Sequence, residues 1–250
     1  VKFFRGSVRA SAPKKEVDDP AVVLFTSGSE KAPKAVPLTH RNLIANVRQS
    51  IGALQPSRDA AMIGFLPAFH SFGLTCGILL PILGGMRVVH HPDPTDARAL
   101  ARKIAVYRAS LLVGTPTFLG FILDRAQPGQ LKTIRMAVVG AEKCPQRIFD
   151  RFAEEAAEGE ILEGYGCSEC GPVVSVNRRG ENKPGTIGPP IPGVEVRLVD
   201  PETKTPFPAG PRDEPGMLVV AGENVFPGYL GTPGGEPPFL EFDGKRWYVT

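Results

Sequence analysis

The sequence predicts an α/β protein with mainly parallel sheets and flanking helices, followed by a smaller β-rich part. Three observations predict it. Over the first three-quarters of the chain, short apolar runs alternate with segments of helical periodicity. The spacing between the runs leaves room for a helix in each crossover, as parallel pairing requires. After about residue 186 helical periodicity stops, and short strands are separated by proline- and glycine-rich loops. The predicted division is an α/β region over residues 1–185 and a β-rich region over 186–250.

The elements follow in order. Residues 21–25 form an apolar, β-branched run, as a buried parallel strand does. Thr39 reads as an N-cap, and Leu43, Val47, Ile51 and Leu54 then recur at helical spacing. Residues 60–66 read as a strand stopped by Pro67, and 72–83 as a buried helix. A strand at 86–89 precedes a helix at 96–107 with Thr95 as its cap. A strand at 110–113 leads to a helix at 116–125 with an early proline. Strands at 134–139 and 160–162 flank a helix at 145–157. Beyond them, strands are expected at 194–199, 217–220 and 247–249.

Composition narrows the function classes. With 250 residues the chain can bury a core without disulfides. Its 29 basic and 26 acidic side chains are interspersed, which argues against a nucleic-acid partner. The longest apolar stretch, 72–86, is interrupted by Thr75, Pro81 and glycines, and is too short to span a bilayer. Membrane association would have to come from parts outside this sequence. Cys76, Cys144, Cys167 and Cys170 do not resemble a disulfide framework, so a reducing, cytoplasmic compartment is expected. Cys167 and Cys170 form a C-x-x-C, but no second pair stands at zinc-binding spacing.

Several segments carry chemistry. Residues 26–34 follow a strand and precede a helix. They offer Thr26, Ser27, Gly28 and Ser29, freed backbone N–H groups, and Lys34, which suit an anion rich in acceptor oxygens. The loop is no Walker loop, since G-x-x-x-x-G-K-[ST] is absent. His70 lies among aromatic residues in Leu66-Pro67-Ala68-Phe69-His70-Ser71-Phe72-Gly73, where a packed or capping histidine is the plain reading. His40, His90 and His91 read as loop or surface residues. In Glu163-Gly164-Tyr165-Gly166-Cys167-Ser168-Glu169, Tyr165 offers a flat face, Ser168 a hydroxyl and Glu169 a hard oxygen ligand. In Val139-Gly140-Ala141-Glu142, the two small residues after the valine let backbone approach a planar ligand closely.

Taken together and in this order, these segments resemble the adenylate-forming enzymes: acyl- and aryl-CoA ligases, acyl-carrier-protein synthetases and luciferases. The family loop is roughly T-S-G-[ST]-T-G-x-P-K-G. The chain matches it at Thr26, Ser27, Gly28, Ser29, Pro33 and Lys34, and departs at Glu30, Lys31 and Ala35, the last two being family glycines. The segment around His70 is similar to P-x-F-H-x-x-G, and the one around Tyr165 to Y-G-x-[ST]-E. The resemblance implies ATP and Mg²⁺ as cofactors. It places Lys34 and the loop hydroxyls on phosphate, and Tyr165 against adenine with Gly140, Ala141 and Glu142 passing under the ring. Glu163, Gly164, Gly166 and Ser168 complete the nucleotide site, Glu169 is the Mg²⁺ ligand, and His70 lies near the acid. Lys34, His70 and Glu169 are thereby the candidate catalytic residues. Lys183 to Gly188 and Gly222 to Tyr229 are similar to two further landmarks, expected to be scaffold turns.

In the family a strand like Trp247-Tyr248-Val249-Thr250 continues into Gly-Asp and then a mobile C-terminal domain, so the sequence is expected to be an incomplete core, inactive alone. Stretches at 69–75, 140–143 and 161–177 are most similar to the acyl-acyl-carrier-protein synthetases, including the 2-acylglycerophosphoethanolamine acyltransferase-synthetases of phospholipid metabolism. That branch implies a fatty acid substrate and the phosphopantetheine thiol of acyl carrier protein as acceptor, with coenzyme A as the alternative. A non-catalytic nucleotide-binding relative, a C-x-x-C metal or redox module and a plain α/β scaffold are the readings from other classes.

Overall fold

The computed structural model describes residues 16–26, 33–57, 59–208, 210, 214–231 and 238–250. Its centre is a six-stranded sheet of β3 (Ala61–Gly64), β4 (Arg87–His90), β5 (Leu111–Gly114), β6 (Met136–Val139), β7 (Glu160–Gly166) and β8 (Val173–Val176). The spatial order is β4-β3-β5-β6-β7-β8. All neighbours are parallel except β7 and β8, which pair antiparallel as a hairpin. The expected α/β class with a mainly parallel sheet is therefore present.

Alternation along these strands builds two cores. Met62, Leu111, Val113, Met136, Val138 and Leu162 pack to one face with Leu43 and Val47 of α1 (His40–Leu54). Cys76 and Leu80 join them from a π-helical stretch, Gly73–Leu79, that continues into α2 (Leu80–Gly84). Ile63, Leu112, Ala137, Val139 and Ile161 face the other way. They meet α3 (Ala97–Tyr107), α4 (Pro116–Arg125) and α5 (Gln146–Glu155) through Leu100, Ile104, Leu119, Ile122, Ile148 and Phe152. No helix among the described residues is long and apolar enough to cross a membrane.

Thr39 does cap α1: its side chain accepts from Asn42 N–H, and the Asn42 side chain accepts from Thr39 N–H in return. The cap of α3 is Asp96, not Thr95. The Asp96 carboxylate reaches Ala99 N–H, while Thr95 bonds back to Asp93. Both residues are cap formers, and only the local turn decides between them.

Two further sheets are antiparallel. β9 (Glu195–Val199), β10 (Met217–Ala221), β11 (Phe239–Phe242) and β12 (Lys245–Val249) form one, in the order β11-β12-β10-β9. β1 (Pro20–Thr26) and β2 (Lys34–Thr39) form the other. The hairpin corrects the first strand expected. Residues 21–25 lie in an antiparallel pair outside the parallel sheet, with Phe25 68% exposed and Leu24 buried. A wholly apolar run hides such alternation. β2 itself was not expected, and it carries Pro37, which a central strand would not accommodate. It is tolerated here because a two-stranded sheet has only edges. β8 and β11 were missed too, and β7 runs four residues past its expected end at 162, through Gly166.

Candidate active site

A cavity of about 490 Å³ opens at the carboxyl ends of the parallel strands. It lies where the sheet order reverses, with β4 on one side of β3 and β5, β6 and β7 on the other. Crossovers leave in opposite directions there and part the loops, so ligands collect at this edge of open α/β sheets. Leu54, Phe72, Cys76, Leu80, Val113 and Phe118 supply apolar wall. His70, Ser71, Gly140, Ala141, Gly164, Tyr165, Gly166, Cys167 and Ser168 also line it.

The fold thus brings together three segments far apart in sequence. Ser71 Oγ and Ser168 Oγ lie 2.9 Å apart, joining the His70 segment to the Tyr165 segment. Thr75 Oγ1, buried in the π-helical stretch, donates to Gly171 O at 2.9 Å. Two glycines are obligatory. A Cβ at Gly73 would stand 2.0 Å from Pro67 O, and one at Gly166 2.1 Å from Pro172 O. Gly140 and Gly164 lie back to back on neighbouring strands, where a Cβ at Gly140 would meet Gly164 O at 3.2 Å. Ala141 holds φ at 71°, a left-handed conformation that costs a non-glycine residue about 1 kcal/mol or more.

His70 is exposed at the cavity wall with Phe69 beside it, ring centroids 4.4 Å apart. Tyr165 is half-buried. Burial pushes its phenol above the usual tyrosine range, and a hydrogen bond with the Thr250 side chain pulls against that shift.

Thr26 and Lys34 stand directly opposite each other as the last pair of the β1–β2 hairpin. The loop between them is therefore a hairpin connection. It does not lead straight into a helix N-terminus, as the sequence suggested, because β2 intervenes. Ser27, Gly28 and Ser29 lie outside the described residues. Lys34 Nζ sits 5.2 Å from the centroid of the Tyr229 ring. The Tyr229 hydroxyl donates to Glu169 Oε1 at 2.7 Å and lies 3.3 Å from Tyr248 Oη. Tyr229 thus connects Lys34 to Glu169, although sequence reading assigned it only to a scaffold turn. No local signal could have found it, since its acid partner is 60 positions away. Burial raises the phenols of Tyr229 and Tyr248, with the neighbouring Glu169 charge adding to the shift. Both hydroxyls therefore remain proton donors at neutral pH.

Four of the expected nucleotide residues, Thr26, Lys34, Glu142 and Glu163, do not line the cavity, and neither does the expected Mg²⁺ ligand Glu169. Glu163 is 7% exposed, and its carboxylate accepts from Cys144 N–H and Gly185 N–H. It braces the chain at either side of β7. Glu142 accepts from Thr117 N–H at 2.9 Å, covering an open amide at the start of α4. Hydrogen bonds from Thr117 hold its carboxyl below the usual range.

Glu169 is 7% exposed. Tyr229 takes its Oε1, while Oε2 has no hydrogen-bond donor among the described residues. One free, hard oxygen fits a Mg²⁺ ion that arrives already liganded by phosphate. No group of three or more His, Cys, Asp or Glu able to hold a metal by itself occurs among the described residues. Cys167 and Cys170 accordingly do not form part of a metal cluster there.

A cavity of this size at the switch point of a sheet covered on both faces defines an α/β protein built to bind a small ligand. The chain belongs to the AMP-binding enzyme family, the adenylate-forming superfamily, whose sequence pattern matches residues 4–230. It is 32% identical over 225 residues to a long-chain-fatty-acid–CoA ligase of Bacillus subtilis, covering 86% of this chain and 38% of that protein. Its fold matches apo MatB from Rhodopseudomonas palustris with a TM-score of 0.83 at 27% identity, over 96% of this chain and 46% of that one. A malonyl-CoA ligase with methylmalonyl-CoA and AMP bound matches with a TM-score of 0.77 at 28% identity, over 95% and 54%. The chain therefore spans about two-fifths of the length of the Bacillus relative.

Proposed function

We propose that this chain is the nucleotide- and acid-binding core of an acid–thiol ligase that activates a fatty acid with ATP as acyl-AMP. The observation that carries the reading is one cavity with an apolar wall and, on its polar side, His70, Tyr165 and the Ser71–Ser168 pair. An acid with a hydrocarbon tail and a nucleotide need those two surfaces side by side. The relatives' names favour coenzyme A as the thiol donor over acyl carrier protein. A division near residue 185 and a cytoplasmic location belong to the same proposal.

In this reading Lys34 and the loop residues Thr26, Ser27, Gly28 and Ser29 hold phosphate oxygens, with Ser168 adding a hydroxyl. Tyr165 stacks on adenine while Gly140 and Ala141 let backbone pass close beneath it. Glu169 Oε2 would hold the nucleotide's Mg²⁺, which supplies charge neutralisation at the phosphates. His70 orients the carboxylate. Glu142 and Glu163 act as positioning residues, through α4 and β7. A carboxylate oxygen attacks the α-phosphorus and pyrophosphate leaves; a thiol sulfur then attacks the acyl carbon and AMP leaves. Protein groups form no covalent bond, so positioning and charge stabilisation carry the rate.

The test is fatty-acid-dependent ATP–pyrophosphate exchange by the complete protein that carries this sequence, across short, medium and long acids. Exchange with a chain-length optimum is expected. Lys34→Ala and Glu169→Gln should each lower it roughly 10–100-fold, the worth of one charge-assisted bond. A folded protein that binds ATP yet exchanges nothing with any acid would overturn the ligase reading.

A further inference from the structure

The C-x-x-C sits inside the Tyr165–Glu169 signature, and the mechanism above uses neither thiol. Cys167 is partly exposed and lines the cavity, whereas Cys170 is fully buried behind it. Cys170 N–H donates to Cys167 O at 2.9 Å, closing a tight turn over the 3₁₀ segment Ser168–Cys170. Residues closing such a turn have Cα atoms within about 7 Å, which overlaps the window for a disulfide. Cys76, in the π-helical stretch, and Cys144, in the loop before α5, are buried free thiols elsewhere.

We infer that Cys167 and Cys170 form a redox-active dithiol, which hydrogen peroxide closes to a disulfide and which thereby weakens ligand binding in the cavity. The two positions divide the work. Cys167 meets solvent through the cavity, so its sulfur attacks a peroxide oxygen and the other oxygen leaves as water. This gives a sulfenic acid on Cys167. The Cys170 sulfur then displaces that hydroxyl as a second water, and the S–S bond forms. Two thiols are oxidised and one peroxide is reduced to two waters. A dithiol reductant reverses the closure by exchange. Disulfides of reducing compartments are commonly of this transient, sensing kind.

Closure acts on the site because Ser168 and Glu169 lie between the two sulfurs. An S–S bond of about 2.05 Å draws Cys167 off the cavity wall toward Cys170. The Ser71–Ser168 contact and the Tyr229–Glu169 bond then have to shift with the turn. The effect on ATP rests on the proposed function. The disulfide itself does not.

The experiment treats the complete protein that carries this sequence with peroxide, unfolds it in urea, traps remaining thiols with N-ethylmaleimide and maps peptides by mass spectrometry. Expected is a Cys167–Cys170 link lighter by two hydrogens, with Cys76 and Cys144 still alkylated. Cys167→Ser and Cys170→Ser should each abolish the link, and the cavity-wall variant serves if the buried one fails to fold. Over-oxidised Cys167 with no link to Cys170 would overturn the dithiol. The complete protein is then titrated with ATP before oxidation, after it, and after dithiothreitol. Affinity should fall by about tenfold or more and recover. A linked protein that binds ATP unchanged would overturn the control of binding, whereas no ATP binding in the reduced state would count against the proposed function and leave the dithiol standing.

Discussion

Removing one oxygen from Tyr229 tests how the hairpin lysine and the signature acid are joined. Tyr229→Phe deletes the 2.7 Å bond to Glu169 Oε1. It keeps the ring beneath Lys34 and its edge contact with Phe226, whose centroid is 4.9 Å away. A hydrogen bond to a charged acceptor contributes about 1.5–3 kcal/mol, against about 0.5–1.5 kcal/mol for a neutral pair. Glu169 is 7% exposed, so water does not readily replace the lost donor. Tyr229→Phe should therefore cost about 1.5–3 kcal/mol beside the carboxylate and roughly 1 kcal/mol less beside the amide of Glu169→Gln. The assay is a double-mutant cycle of wild type, both single variants and the pair, by urea unfolding. A coupling energy within about 0.3 kcal/mol of zero would refute the link.

Other predictions follow from single geometric features. Gly73→Ala should destabilise by about 3 kcal/mol or more, because its Cβ would stand 2.0 Å from Pro67 O. Gly77→Ala, in the same helical stretch with nothing within 4 Å, should stabilise by about 0.5–1 kcal/mol, and thermal unfolding separates the two. Ala141→Gly relieves the left-handed backbone at φ 71° and should raise stability by up to ~1 kcal/mol in urea titration, the opposite sign to Gly placed in ordinary backbone. Glu142 has a lowered folded pKa, so its stabilisation is present above its unfolded value of about 4.3 and is lost as pH falls further. Unfolding curves of Glu142→Gln and wild type should differ at neutral pH and converge in acid. Tyr165, Tyr229 and Tyr248 have raised pKa values, so stability should fall as pH rises above about 10, where the unfolded tyrosines lose protons first. That alkaline fall should be shallower in Tyr229→Phe.

Local signals located most of the α/β region. The helix at residues 116–125 was placed to the residue, because Pro116 marks its first turn. The Thr39 cap was legible locally too. The segments around His70 and Tyr165 were legible as motifs, and the fold sets their serines 2.9 Å apart. The hairpin was not, since an all-apolar run and a proline-containing strand give no period to read. Nor was the second strand of the signature hairpin, β8. Asn46 of α1 covers its edge, bonding Val173 O at 2.7 Å and Val173 N–H at 3.0 Å across 127 positions.

The order of residues along the chain was enough for most of the helices and the parallel strands, because periodicity and capping act between near neighbours. Only the tertiary structure decided which strands run antiparallel and that Tyr229 ties Lys34 to Glu169. It also decided that Glu163 and Glu142 brace the scaffold away from the cavity wall. Those outcomes depend on contacts tens of residues apart, where burial and backbone pairing choose the partner and no local spacing records the choice.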